Sequence, residues 1–138
     1  MCGFLVTCDN NLSDIVFKKS LLNFQSRGPD KSKVIDEQNI TFGFHRLSII
    51  DEDDRSMQPY IYKDNILLYN GELYNYKELK QNLKNIYKTE FRTKSDTEVF
   101  LKHLLIKNIE SYKDIKGMFA FALFNRKENT LKFGRDNF

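Results

Sequence analysis

Apolar residues fall in short blocks along the chain, and the spacing inside each block separates strands from helices. Residues 3–8 form a short, apolar, partly β-branched run bounded by Asp9-Asn10-Asn11, which predicts a buried strand ending in a turn. Next, Ser13 or Asp14 can cap a helix whose apolar residues Ile15, Val16, Leu21, Leu22 and Phe24 suggest one inward face. It should stop near Arg27-Gly28-Pro29, because proline disfavours helix in the residue before it. A charge-rich loop is expected to follow. Residues 40–45 and the run Leu47-Ser48-Ile49-Ile50 predict strands, and residues 65–69 another, ended by Asn70-Gly71, a pair that favours tight turns.

The second half begins with two helix signals. Asn75 and Ser95 can each cap a helix start with a glutamate three positions on, Glu78 and Glu98, and Ser95 leads into Val99, Leu101, Leu104 and Leu105. Residues 117–124 and 130–133 are β-like runs around the polar stretch 125–129, which predicts a hairpin. No repeat, low-complexity tract or linker divides the chain. One domain over residues 1–138 is expected, and grouped strands with helices favour an α+β sandwich over alternating βα units.

Composition supports a packed core. The chain has 138 residues, 41% hydrophobic and 14% aromatic, enough to offset chain entropy by burial. Lys plus Arg number 22 and Asp plus Glu 19, spread along the chain, so no basic stripe recommends nucleic acid or an anionic membrane as partner. Cys2 and Cys8 lie on one predicted strand and aim badly for a mutual disulfide. Together with an N-terminus lacking a signal-like basic and apolar pattern, this points to a reducing, cytoplasmic setting. His45 and His103 make no zinc spacing with the cysteines, so no metal is expected and both are read as structural.

Candidate chemistry starts at Cys2. Removal of Met1 would leave a thiol and a free α-amine on one residue, with reference pKa values of about 8.5 and about 7.7–8.0, so the amine can take the thiol proton near neutrality. The competing reading is a small buried hydrophobe, and Cys8 is given that reading outright. Asn70, Gly71 and Glu72 place an amide, a backbone N–H and a carboxylate at a strand end, a plausible corner for an oxyanion or simply a turn. Arg46 could grip a carboxylate through two parallel hydrogen bonds, or sit on the surface. Asp96 could favour a helix N-terminus, or join Glu72 around an ammonium group.

These features occur in an order that resembles a known family. The motifs are Met1-Cys2-Gly3-Phe4, Ser26-Arg27-Gly28-Pro29-Asp30, His45-Arg46-Leu47-Ser48-Ile49-Ile50-Asp51, Gln58-Pro59, Tyr69-Asn70-Gly71-Glu72-Leu73-Tyr74-Asn75, Lys94-Ser95-Asp96-Thr97-Glu98, Gly117-Met118-Phe119-Ala120-Phe121-Ala122 and Gly134-Arg135-Asp136. Across essentially the whole chain they resemble the class II glutamine amidotransferase domain, in its asparagine synthetase branch. The resemblance implies an N-terminal nucleophile hydrolase fold, a four-layer sandwich of two antiparallel sheets between helices. It implies Cys2 as nucleophile with its freed α-amine as base, and the Asn70 side chain and Gly71 N–H as oxyanion donors. Arg46 would bind the glutamine carboxylate, Glu72 and Asp96 its ammonium, and the backbone around Leu47 and Ile49 would line the pocket.

Glutamine is thus the expected substrate, cut through a thioester to glutamate and ammonia without a cofactor. Members of the family continue past Arg-Asp into further strands and an ATP- and Mg-dependent synthetase domain, so the domain reads as incomplete at its C-terminal end. A synthetase domain or partner chain would then accept the ammonia, and open strand edges would invite association, including a homo-oligomer. Two other readings stand beside this one: a catalytically incomplete glutamine-binding or regulatory fragment, and an N-terminal-nucleophile hydrolase for another amide.

Overall fold

A computed structural model describes residues 2–9, 11–47 and 54–137. Two antiparallel sheets stack face to face in it. Strands β1 (Gly3–Thr7), β2 (Lys31–Glu37) and β3 (Ile40–Arg46) make the first sheet, with β3 in the centre. Strands β4 (Tyr60–Tyr62), β5 (Asn65–Leu73), β6 (Gly117–Asn125) and β7 (Thr130–Arg135) make the second, side by side in that order.

Strand alternation builds the layers, because successive side chains point to opposite faces. Ile40, Phe42 and Phe44 of β3 meet Ile66 and Leu68 of β5 and Phe124 of β6 in one buried cluster between the sheets. Tyr69 and Leu73 of β5 and Phe119 and Phe121 of β6 point the other way. They pack under α2 (Tyr76–Tyr87) and α3 (Asp96–Lys107), with Phe100 edge-on to Phe119 at 5.3 Å and to Phe121 at 5.1 Å. On the outer face of the first sheet lies α1 (Asp14–Leu22), whose Leu21 would sit 2.7 Å from a Cβ on Gly43. The result is the α+β sandwich of four layers expected from the sequence. Among the described residues no helix is long and apolar enough to cross a membrane.

Several local expectations give way to tertiary packing. Ser13 does cap α1, accepting from Val16 N–H at 3.4 Å, but the inward face is Phe17 and Leu21, one turn apart. Ile15 is 77% exposed, and Val16 and Leu22 are exposed too. The charge-rich loop is in fact β2, an edge strand whose outward lysines hide it from hydropathy. The short β4 was also unforeseen. Asn70-Gly71 makes no turn: β5 runs straight through it, with Asn70 opposite Ala120 and Gly71 opposite Phe119.

At the helix ends the outcome is mixed. Ser95 caps α3 by accepting from Thr97 N–H at 3.1 Å. Asn75 makes no cap bond and instead accepts from Lys116 N–H at 3.2 Å, tying α2 to the strand that follows. The predicted β6–β7 hairpin is present, its turn held by Glu128 N–H donating to Asn125 Oδ1 at 2.9 Å. The expected strand over residues 47–50 is not seen at Leu47, and residues 48–50 lie outside the described residues. Cys8, read as core, is exposed.

Candidate active site

The register of the first sheet puts Cys2 beside Arg46. Gly3 pairs with His45, so the residue before β1 lies along the last residue of β3. Both belong to the inward series of their strands, Cys2 with Phe4 and Val6, and Arg46 with Phe42 and Phe44. In the facing sheet Asn70 and Glu72 continue the inward series of Ile66 and Leu68. Parity alone therefore turns Cys2, Arg46, Asn70 and Glu72 toward the layer between the sheets.

Cys2 is half-buried, and among the described residues its sulfur is held by Leu47. Leu47 N–H donates to Sγ at 3.4 Å, and Sγ reaches Leu47 O at 3.6 Å. Burial pushes the thiol above its ordinary value; the Leu47 N–H and the Arg46 guanidinium pull it down, and Asp96 pushes it up. The thiol thus feels two of the three charges expected to bind substrate, Arg46 and Asp96. Arg27 Nε donates to Cys2 O at 3.3 Å, which ties the residue before β1 to the segment after α1.

Arg46 is buried, and its Nη2 donates to Ser56 Oγ at 2.7 Å. Asp96 is buried at the start of α3. Its Oδ2 accepts from Leu73 N–H at 3.2 Å and lies 3.5 Å from the Tyr69 hydroxyl. Burial raises the Asp96 carboxyl, and these donors offset that only in part. The same burial, with Asp96 alongside, raises the Tyr69 phenol steeply. Glu72 is exposed on β5. Leu47, expected with Ile49 to line the pocket through its backbone, stands at the thiol, and Ile49 lies outside the described residues.

The oxyanion candidates differ from their sequence-level picture. Asn70 Oδ1 is buried without a hydrogen-bond partner. A half-turn of the amide exchanges Oδ1 for Nδ2, so the same position can present an N–H donor. Gly71 sits in a strand, yet its N–H is not used by β6. Tyr69 N–H and Leu73 N–H donate to Gln58 and Asp96, on the edge away from β6, and ladder alternation gives Gly71 that direction as well. Only glycine fits there, since a Cβ would lie 2.2 Å from Met118 O. Gly71→Ala is expected to destabilise the fold by about 3 kcal/mol in urea unfolding, as overpacking against backbone does.

Sequence reasoning assigns no role to Ser56 or Gln58, which hold Arg46 and the β5 edge, and gives the buried Glu98 behind Asp96 only a capping-box role. The motif Gln58-Pro59 is the signal in the sequence that points at Gln58. His45 and His103 stay outside the site. His103 Nε2 lies 3.3 Å from Ser111 O, and burial lowers its pKa. Among the described residues no group of three or more His, Cys, Asp or Glu is placed to hold a metal ion.

Comparison with known proteins gives the arrangement its context. Asparagine synthetase [glutamine-hydrolyzing] 1 of Bacillus subtilis (strain 168) is 36% identical over 146 residues, covering 100% of this chain and 23% of that protein. Asparagine synthetase B [glutamine-hydrolyzing] of Escherichia coli (strain K12) is 32% identical over 142 residues, covering 99% and 25%. A plant relative, the asparagine synthetase [glutamine-hydrolyzing] of Brassica oleracea, is 32% identical over 143 residues, covering 99% and 24%. The chain thus spans about a quarter of the length of these relatives. With the family model for the glutamine amidotransferase domain matching residues 1–138, the chain belongs to the glutamine amidotransferase family.

Proposed function

We propose that this domain hydrolyses glutamine to glutamate and ammonia as an N-terminal nucleophile enzyme, with Cys2 as the attacking residue after Met1 is removed. The observation that carries the reading is the buried, unpartnered side-chain oxygen of Asn70, on the inward face of β5 opposite the sheet that carries Cys2. A buried polar atom without a partner costs about 1–3 kcal/mol, and a bound ligand can relieve that cost.

In the proposed reaction the Cys2 α-amine takes the thiol proton, and the thiolate attacks the side-chain amide carbon of glutamine. Asn70 and the Gly71 N–H stabilise the resulting oxyanion. Collapse breaks the C–N bond, the α-ammonium returns its proton to the leaving nitrogen, and ammonia departs. The γ-glutamyl thioester is then opened by a water that gives its proton to the same amine, releasing glutamate and restoring the thiol. Arg46 holds the substrate carboxylate in a paired hydrogen bond, and Asp96 with Glu72 receives the ammonium. Asp96 suits that task because an ammonium would favour its ionised form against the burial that raises it. This half-reaction draws on no cofactor.

The relatives' names support an ammonia-consuming amidation as the destination, carried by a synthetase domain or partner chain, with ATP and magnesium acting only there. A reducing, cytoplasmic setting is part of the reading, since Cys2 and Cys8 are both free thiols. Self-association belongs to it as well: β7 is an edge strand with Phe133 65% exposed.

Incubation of the Met1-processed protein with glutamine is expected to yield glutamate and ammonia in equal amounts. Asn70→Ala should lower kcat roughly a hundred- to a thousandfold while KM changes only slightly, the mark of a donor used in the transition state. Undiminished turnover in that variant would remove Asn70 from the chemistry.

A further inference from the structure

The segment leading into β4 carries a buried side chain with an unusual set of partners. Gln58 Nε2 donates to Tyr69 O at 2.9 Å, and Tyr69 N–H donates to Gln58 Oε1 at 2.6 Å. One amide thus meets both main-chain groups of one residue, as a paired residue does in an antiparallel ladder. β4 supplies main-chain partners only as far as Tyr60, opposite Leu67. Tyr69 is the next residue of β5 to face that edge, so the Gln58 side chain adds one rung where the strand has run out. The residue after that on the same edge is Gly71.

Two further bonds connect this rung to the rest of the site. Gln58 Nε2 lies 3.4 Å from Thr97 Oγ1, the neighbour of Asp96. Ser56, two residues earlier, accepts the 2.7 Å bond from Arg46. Residues 56–58 therefore grip the guanidinium, the β5 edge and the start of α3 together.

We propose that Gln58 is a positioning residue of the oxyanion pocket, its side chain closing the β5 edge at Tyr69 and so setting the direction of the Gly71 N–H. What that N–H does rests on the glutaminase reading; where it points does not. Only a primary amide satisfies both sides of the rung. A carboxylate would set oxygen against Tyr69 O, and a thioether would leave both Tyr69 groups unpaired.

Gln58→Glu and Gln58→Met keep the size of the side chain and test the proposal in the Met1-processed protein by two independent readouts. Amide NMR needs no substrate. In the parent, Tyr69 N–H should be protected from exchange and Gly71 N–H should exchange faster; in both variants the Gly71 and Leu73 resonances should move, while those of Phe42 and Phe44 in the other sheet stay in place. Turnover of glutamine should fall roughly tenfold to a hundredfold in kcat, with KM within about threefold, because a misaimed donor weakens the transition state more than the ground state.

Unmoved Gly71 resonances in the variants, or a parent Gly71 N–H better protected than that of Tyr69, would overturn the proposal whatever the activity. A moved Gly71 with kcat within about twofold of the parent, or a loss confined to KM, would overturn it too. A parent that does not turn over glutamine would instead sink the glutaminase reading, and the NMR result would still decide the role of Gln58. Should neither variant fold, the exchange order in the parent decides it alone.

Discussion

Cys2→Ala in the Met1-processed protein is expected to bring glutamate release down to background, a loss of at least roughly a thousandfold, since the variant has no atom to form the thioester. The fold should tolerate the change. Cys2 lies at the margin of the inter-sheet cluster and is half-buried, and among the described residues its sulfur bonds to the backbone of Leu47. Thermal unfolding within a few degrees of the parent would show that activity, and not structure, was lost. Protein that retains Met1 should be as inactive as Cys2→Ala, because an acylated nitrogen cannot accept the thiol proton, and intact mass identifies that population. Burial raises the thiol in the resting site, which makes a nearby proton acceptor more necessary. Equal turnover by parent and Cys2→Ala would end the proposed mechanism.

The largest effect on stability is expected at Glu98. Its side chain is 0% exposed and is bonded on every side: Lys102 Nζ at 2.7 Å, Thr93 N–H at 2.7 Å, Thr93 hydroxyl at 2.8 Å and Arg92 N–H at 3.0 Å. Lys102 also donates to Glu90 O and lies over the rings of Tyr62 and Phe91. The pair therefore ties the loop between α2 and α3 to the helix that carries Asp96. Glu98→Ala leaves the Lys102 ammonium buried beside unpaired N–H groups. A loss of about 3–5 kcal/mol in denaturant unfolding is expected, with Glu98→Gln losing less because the amide still accepts from Thr93.

The same pair fixes the sign of an acid effect. Burial alone would raise the Glu98 carboxyl, but the bonds from Lys102, Arg92 and Thr93 outweigh it and hold the group below its usual range. A carboxyl lowered on folding stabilises the native state fully above its unfolded pKa of about 4.3 and loses that contribution as pH falls through the lowered folded value. Unfolding free energy should therefore drop more steeply in the parent than in Glu98→Gln as pH falls below about 4.3. Parallel pH curves for the two proteins would contradict the assignment.

Legibility in the sequence followed the physics of each element. Strands β1, β3 and β6 were plain because both their faces are covered, so their residues read as apolar runs. Helix α3 was plain through Ser95, whose cap is a local bond. Strands β2 and β4 were not, since an edge strand of lysines or of three residues has no hydropathy of its own. The inward face of α1 was misjudged for a related reason. Ile15, Val16 and Leu22 are as apolar as Phe17 and Leu21, and only the sheet beneath selects which pair is buried.

Local chemistry thus established the residue types and their order: a cysteine at position 2, an arginine ending a strand, Asn-Gly-Glu, and an aspartate after a helix cap. Packing settled their meaning. Asn70-Gly71 reads as a turn by its intrinsic preference and is a strand because β6 lies along it, leaving the Gly71 N–H on the far edge. Glu98 reads as half of a capping box and is a buried counter-ion because Lys102 and the loop before it close around it. In each case a propensity worth about 1 kcal/mol yields to hydrogen bonds and burial worth several times that, supplied by a distant strand for Asn70-Gly71 and by the folded loop before α3 together with Lys102 for Glu98. For the same reason Gln58 could be seen as a motif in the sequence, but its role as the missing rung of β5 required the fold.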